Sequence, residues 1–174
     1  PWGIITQAVT VYGVVLALEG SCGKLKRVYI DTSVIGGCFD YLFEDASRRL
    51  IDRAVNGEIM LLISDHAFVE INRAPEQVSN IVKHLPARVY EEVLVNAEAR
   101  RLMQVYMEER IVTRKSQADA LHVACATIAK ADAIVSWNFK HIVNFVRSRR
   151  FNEINERQGY KPLQICTPKE FLGP

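Results

Sequence analysis

The sequence predicts an α/β sandwich with a parallel or mostly parallel central sheet flanked by helices. Three observations predict it. Short apolar, β-branched stretches alternate with segments of helical periodicity along most of the chain. One stretch, residues 59–63, is apolar without interruption, as in a strand that a parallel sheet buries on both faces. The candidate strands at 27–31 and 133–136 run out into polar residues, Asp31 and Ser136-Trp137-Asn138, at the strand ends where such sheets place their sites.

Taken in order, residues 27–31 read as a buried first strand after the break at 20–24, and Gly36-Gly37 then interrupts the chain. Leu42, Ala46, Leu50, Ile51 and Ala54 recur near a 3.6 period, so 42–55 is an amphipathic helix stopped by Asn56-Gly57. Strand 59–63 follows. Ser64 is placed to cap the next helix, with Asp65 in the first turn where the helix dipole favours an anion. That helix carries Glu70 and ends before Pro75. A short helix at 76–84, closed by Pro86, and a longer one at 97–109 come next, and 111–113 reads as a brief extended piece. Helix 116–129, strand 133–136, a polar helix at 144–158 and strand 163–167 complete the pattern.

A length of 174 residues suits one domain with a core that needs no staples. Apolar and charged fractions of 49% and 24% are those of an ordinary globular chain. A net charge of +2 neither announces a nucleic-acid binder nor excludes a local basic patch. Cys22, Cys38, Cys125 and Cys166 are scattered without a CxxC pair, the pattern of buried, reduced thiols in a cytoplasmic protein. Residues 4–18 are apolar, but no basic residue precedes them and they fall short of the ~20 residues of a membrane helix. The compact domain is expected over 26–174, with 1–25 an extension outside it, an over-extended start or a cloning remnant.

Three acids hold special positions. Asp31 ends an apolar strand, where a carboxylate needs a cation or hydrogen-bond donors, or else caps the following turn through the Thr32 and Ser33 amides. Asp119 stands three residues after Ser116 in a capping-box spacing, a role compatible with holding a cation. Glu70 lies within a mostly apolar helical stretch, where an isolated acid usually faces solvent. Together they offer hard oxygen ligands from separate elements, enough for a Mg²⁺ ion that keeps several of its waters. His122, one turn beyond Asp119, reads as a packed or hydrogen-bonded histidine rather than a Mg²⁺ ligand. Trp137 reads as core, with stacking on a base as the alternative. Arg147, Arg149, Arg150 and Arg157 make the polar helix basic, either a solvated face or one that tracks phosphates.

The segments YIDTSVIGG, SDHAFVEI, ADALHVACA and ADAIVSWNFKHI resemble, in order and spacing, the PIN-domain nucleases, and within them the bacterial toxin-type, VapC-like branch. The likeness spans roughly 27–172. It implies a PIN-like three-layer sandwich. It also implies a metal-dependent endoribonuclease in which Asp31, Glu70 and Asp119 gather Mg²⁺ or Mn²⁺ and are the catalytic acids. By the same resemblance Ser136 is a hydrogen-bonder to the acids, with Asn138 and Thr32 as further supporting residues; read from their placement, Lys140 and His141 either touch substrate phosphate or serve a loop surface, and Arg147 and Arg150 are further candidates for phosphate contact. Many members carry a fourth acid where this chain has Asn138, an amide that adds no charge. Implied partners are an RNA substrate, a small cognate antitoxin and a second copy of the chain, with no membrane. The alternative is a catalytically weak PIN domain that binds RNA or protein. Phosphotransfer through Asp31 fits poorly, since Ser33 stands where a second acid would be required.

Overall fold

The computed structural model describes residues 25–173, so the reading of the N-terminal segment as an extension, and Cys22, lie outside the described residues. β1 (Lys26–Ile30) is the middle strand of a five-stranded sheet. β2 (Ile59–Ser64) and β3 (Tyr90–Val93) lie to one side of it, β4 (Ala133–Val135) and β5 (Gln164–Cys166) to the other. All four pairings are parallel, so the sheet is parallel throughout. The chain builds outward from β1 to β3, then returns to β4 on the opposite side of β1. That reversal opens a crevice at the carboxyl ends of β1 and β4, the position where open α/β sheets take ligands.

Side-chain alternation along β1 assigns the two faces. Val28 and Ile30 pack with Leu61, Ile63 and Val135 beneath α1 (Thr32–Gly37), α2 (Glu44–Val55), α3 (Asp65–Arg73), α4 (Glu76–His84) and α8 (Pro168–Leu172). Tyr29 points the other way and joins Leu62 and Ile134 beneath α5 (Ala97–Glu108), α6 (Gln117–Ile128) and α7 (Phe145–Arg157). The result is the three-layer sandwich expected. Every residue of α6 from Ala120 to Thr127 is buried, because this helix is packed against both the sheet and α5. A helix apolar nearly all round has no other stable place in such a fold. Among the described residues, no helix is long and apolar enough to cross a membrane. Cys38, Cys125 and Cys166 are free and buried.

Several local expectations change. Gly36-Gly37 does not break the chain but completes the last turn of α1. Ile111 and Val112 are buried in a turn rather than a strand, their apolar character serving the core beneath α5 and α6. β3, with the sequence YEEV, carries no apolar run because it is an edge strand paired only with β2. α8 was not anticipated; Thr167 and Glu170 form a capping box around Pro168 at its start.

Gly37 is required by close approach. A Cβ there would lie 2.5 Å from Ser47 Oγ and 2.8 Å from Trp137 Nε1. Those two atoms are themselves joined by a hydrogen bond of 2.8 Å. Gly37→Ala is expected to destabilise the fold by about 1–3 kcal/mol, with a fall in Tm of about 2–4 °C per kcal/mol for a chain of this size. A melting temperature equal to that of the wild type would show that Trp137 gives way freely.

Candidate metal centre

Asp31 follows β1 directly and occupies the N-cap position of α1, yet its side chain makes no capping bond to the backbone. Its oxygens accept instead from two serines: Ser33 Oγ to Oδ1 at 2.5 Å and Ser136 Oγ to Oδ2 at 2.8 Å. The residue is only 6% exposed. Burial pushes its carboxyl above the usual value, the charge of Glu70 adds to this, and His122 and the two serines work against it.

Glu70 reaches the same crevice because Ser64 turns β2 straight into α3, accepting from the Ala67 amide as the expected cap. Oε2 accepts from Thr32 Oγ1 at 2.5 Å and lies 3.1 Å from His122 Nε2, while Oε1 lies 3.4 Å from His66 Nε2. Burial alone would raise this carboxyl; His122, His66 and Thr32 together hold it well below the usual carboxylate range. Glu70 is therefore not the solvent-facing acid that its isolated position in the helix suggests.

Asp119 lies in the first turn of α6, but the capping box expected with Ser116 does not form. A 3₁₀ turn at Arg114–Ser116 leads into the helix, and Ser116 makes no side-chain cap. Asp119 Oδ1 accepts instead from Asn138 Nδ2 at 2.7 Å. Burial raises its carboxyl, His141 and His122 oppose the rise, and Asp31 and Glu70 add to it. The three acids thus repel one another across a single crevice.

The segment after β4 ties these acids together. Ser136 Oγ donates to Asp31 and accepts from the Asn138 amide at 2.9 Å; Ser33 Oγ accepts from the Trp137 amide at 2.9 Å. Asn138 Oδ1 accepts from the His141 amide at 2.9 Å, which turns its Nδ2 toward Asp119. Trp137 is buried and stacks on Phe43 with centroids 4.4 Å apart, so it is a wall of the fold and not a platform for a base. Lys140 is exposed next to His141, whose Nδ1 meets the Arg147 guanidinium. Arg150 does not join them: its guanidinium donates to the Glu109 carbonyl at 2.6 Å, beyond the end of α5.

Sequence reasoning missed His66 and the inner partners of His122. His122 is buried, with Nδ1 2.8 Å from the Tyr29 hydroxyl, which donates to Ser64 Oγ at 2.7 Å. Ligand atoms of His66, Glu70 and His122 all lie within 4.8 Å of one another. The four-residue spacing from His66 to Glu70 on α3, which puts both on one helix face, was the available signal.

The carboxylate set suits a hard divalent cation. Asp31, Glu70 and Asp119 offer oxygen donors only, and no Lys or Arg hydrogen bond or ion pair to any of them occurs among the described residues. A small ion would offset both their mutual repulsion and the cost of their burial.

A family model described as PIN domain matches residues 27–140. Among solved structures, VapC20 of Mycobacterium tuberculosis, described as a Sarcin-Ricin loop cleaving toxin, superposes with a TM-score of 0.50. It is 14% identical, and the match covers 66% of this chain and 92% of that one. VapBC2 of Rickettsia felis, bound to a DNA fragment from their promoter, gives a TM-score of 0.49 at 15% identity, covering 66% of this chain and 89% of that one. At 14% identity the likeness to VapC20 is one of fold. No curated protein matches the chain.

Proposed function

The chain belongs to the PIN-domain family, and on that premise we propose that it is a divalent-metal-dependent endoribonuclease that hydrolyses RNA phosphodiester bonds. What supports this reading is the hydrogen-bonded chain beside the three acids: Ser136 Oγ links Asp31 to the Asn138 amide, Asn138 Nδ2 binds Asp119, and Thr32, next to Asp31, binds Glu70. These residues would hold Mg²⁺ or Mn²⁺. Such an ion supplies Lewis-acid charge to the phosphodiester and makes bound water a better nucleophile at neutral pH.

The chain's own groups do the rest. Ser33 and Ser136 fix both oxygens of Asp31. Thr32 fixes Glu70, whose lowered pKa keeps it ionised at neutral pH. Asn138 holds Oδ1 of Asp119 and leaves Oδ2 to orient the attacking water. His141 lies near Asp119, and Lys140 and Arg147 beside His141 add donors suited to phosphate.

In this reading the protein is the toxin of a type II toxin–antitoxin pair, in line with its VapC-like motifs. A small antitoxin and a second copy of the chain are its protein partners, and exposed Tyr41, Leu42, Phe145 and Val146 supply apolar surface for such contacts. Burial pushes the Cys38, Cys125 and Cys166 thiols up to about 11, about 12 and about 11, which supports inert thiols in a reducing cytoplasm. The direct test is cleavage of a structured RNA with Mg²⁺ or Mn²⁺ against a chelator control. Cleavage that survives the chelator overturns the metal-dependent mechanism.

Asn138 favours a second reading, a PIN domain that binds RNA or protein without cutting it, because the amide removes one negative charge from the site. Asn138→Asp is expected to raise Mn²⁺ affinity about tenfold, since affinity follows ligand charge, and to lower Tm in the absence of metal by placing a carboxylate against Asp119. Calorimetry and thermal melts measure the two. Unchanged affinity would remove position 138 from the metal site.

A further inference from the structure

We propose that His66, Glu70 and His122 form a second cation site, selective for Zn²⁺ and other imidazole-seeking divalent ions, that shares Glu70 with the carboxylate site. The spacing suits such an ion. Glu70 Oε2 lies 3.1 Å from His122 Nε2, and Oε1 lies 3.4 Å from His66 Nε2. Ligand atoms around a tetrahedral ion with bonds of about 2.0–2.2 Å lie roughly 3.3–3.6 Å apart. Two imidazoles and one carboxylate make a borderline donor set that Zn²⁺ takes readily and Mg²⁺, which seeks oxygen, does not.

Both histidines direct Nε2 toward Glu70 in this cluster. His66 Nε2 is a buried atom without a hydrogen-bond partner. His122 is oriented from behind: the Tyr29 hydroxyl donates to Ser64, so its oxygen accepts from the His122 Nδ1–H. That leaves Nε2 as the coordinating nitrogen, the arrangement in which a ligating histidine passes its other N–H to an acceptor. Nε2 faces Glu70 Oε2 at 3.1 Å, where the two can share an ion. His66 and Glu70 keep 29% and 31% of their side chains exposed, which gives an ion access from solvent.

Occupancy by Zn²⁺ would engage Glu70 and withdraw it from the carboxylate site, making this cluster an inhibitory site. That consequence, though not the ion site itself, rests on the reading of Glu70 as a ligand of the cleavage metal.

The test uses the full chain, stripped of metal and held in excess Mg²⁺. Calorimetric titration with Zn²⁺ is expected to show one tight equivalent, and Co²⁺ at the same site to give the visible bands of a tetrahedral ion that Zn²⁺ then bleaches. His66→Asn, at a partly exposed position in the first turn of α3, should weaken Zn²⁺ binding by more than the about 10–100-fold typical of losing an outer hydrogen-bond partner. Asp31→Asn should leave the Zn²⁺ titration unchanged. His122 is buried and its variants risk misfolding, so His66 carries the test. Equal Zn²⁺ binding by wild type and His66→Asn, or loss of binding in Asp31→Asn, overturns the proposal, as does absence of a tight equivalent. Mn²⁺-dependent cleavage without Zn²⁺ binding would sink this inference alone, and Zn²⁺ binding without cleavage would sink the nuclease reading alone.

Discussion

Asp31→Asn is expected to lower RNA cleavage by about 10³-fold or more, equivalent to roughly 4 kcal/mol of transition-state stabilisation, while Tm in the absence of metal stays level or rises. The two halves of this result have one cause. Asp31 is 6% exposed, and among the described residues its carboxylate accepts hydrogen bonds only from the hydroxyls of Ser33 and Ser136. Hydroxyl donors can reorient, so an Asn side chain still finds partners there, and the substitution removes a buried charge at little structural expense. What it removes from function is a carboxylate held on both oxygens in the crevice. Asp119→Asn should behave alike, with a smaller effect on stability because Asp119 is less buried. Single-turnover cleavage under Mn²⁺, paired with thermal melts, reads both quantities. Wild-type cleavage rates in these variants would end the assignment of the carboxylates, whatever the fold.

Mn²⁺ is expected to raise Tm by roughly 5–10 °C at a concentration a hundredfold above its Kd, and by more at pH 7 than at pH 5. Burial raises the carboxyls of Asp31 and Asp119 in the folded protein. From about pH 4, where unfolded carboxyls ionise, the folded state keeps protons that the unfolded chain has released. The metal-free protein therefore loses stability as pH rises through the raised values of these two groups. Glu70 acts in the opposite sense: its lowered value contributes stability that is complete above about pH 4.3 and is lost only as pH falls toward that lowered value. Above about pH 4.3 Asp31 and Asp119 therefore lower the stability of the metal-free protein as pH rises, and an ion that neutralises them matters more at higher pH. Melts across this range with Mn²⁺ or a chelator measure it. A Mn²⁺ shift that is independent of pH and survives Asp31→Asn would place the ion elsewhere.

Much of the architecture was legible in the chain. The uninterrupted run at Leu61, Leu62 and Ile63 marked a strand buried on both faces, and all three are buried between helices above and below. Ser64 announced the start of α3 and makes the expected bond to the Ala67 amide. Where the reading failed, packing had overruled a local signal. Ile111 and Val112 look like a strand but fill a turn against the core, and Gly37 looks like a breaker but closes a helix because Ser47 and Trp137 leave no room for a side chain. The edge strand Tyr90–Val93 escaped notice since exposed strands need no apolar pattern.

At the candidate site the division is sharper. The sequence by itself determined that Asp31 leaves a buried strand, that Asp119 opens a helix, and that Ser136 and Asn138 follow another strand end. These are properties of hydropathy and periodicity, which a chain carries residue by residue. Only the tertiary structure decided that Asp31 answers to two serines, that Asn138 rather than Ser116 engages Asp119, and that Glu70 is drawn between Thr32 and two histidines. Such choices depend on which donors from distant elements come within about 3 Å of a given oxygen. Burial then fixes how strongly each partner holds. Neither quantity exists until the sheet has brought its strand ends together.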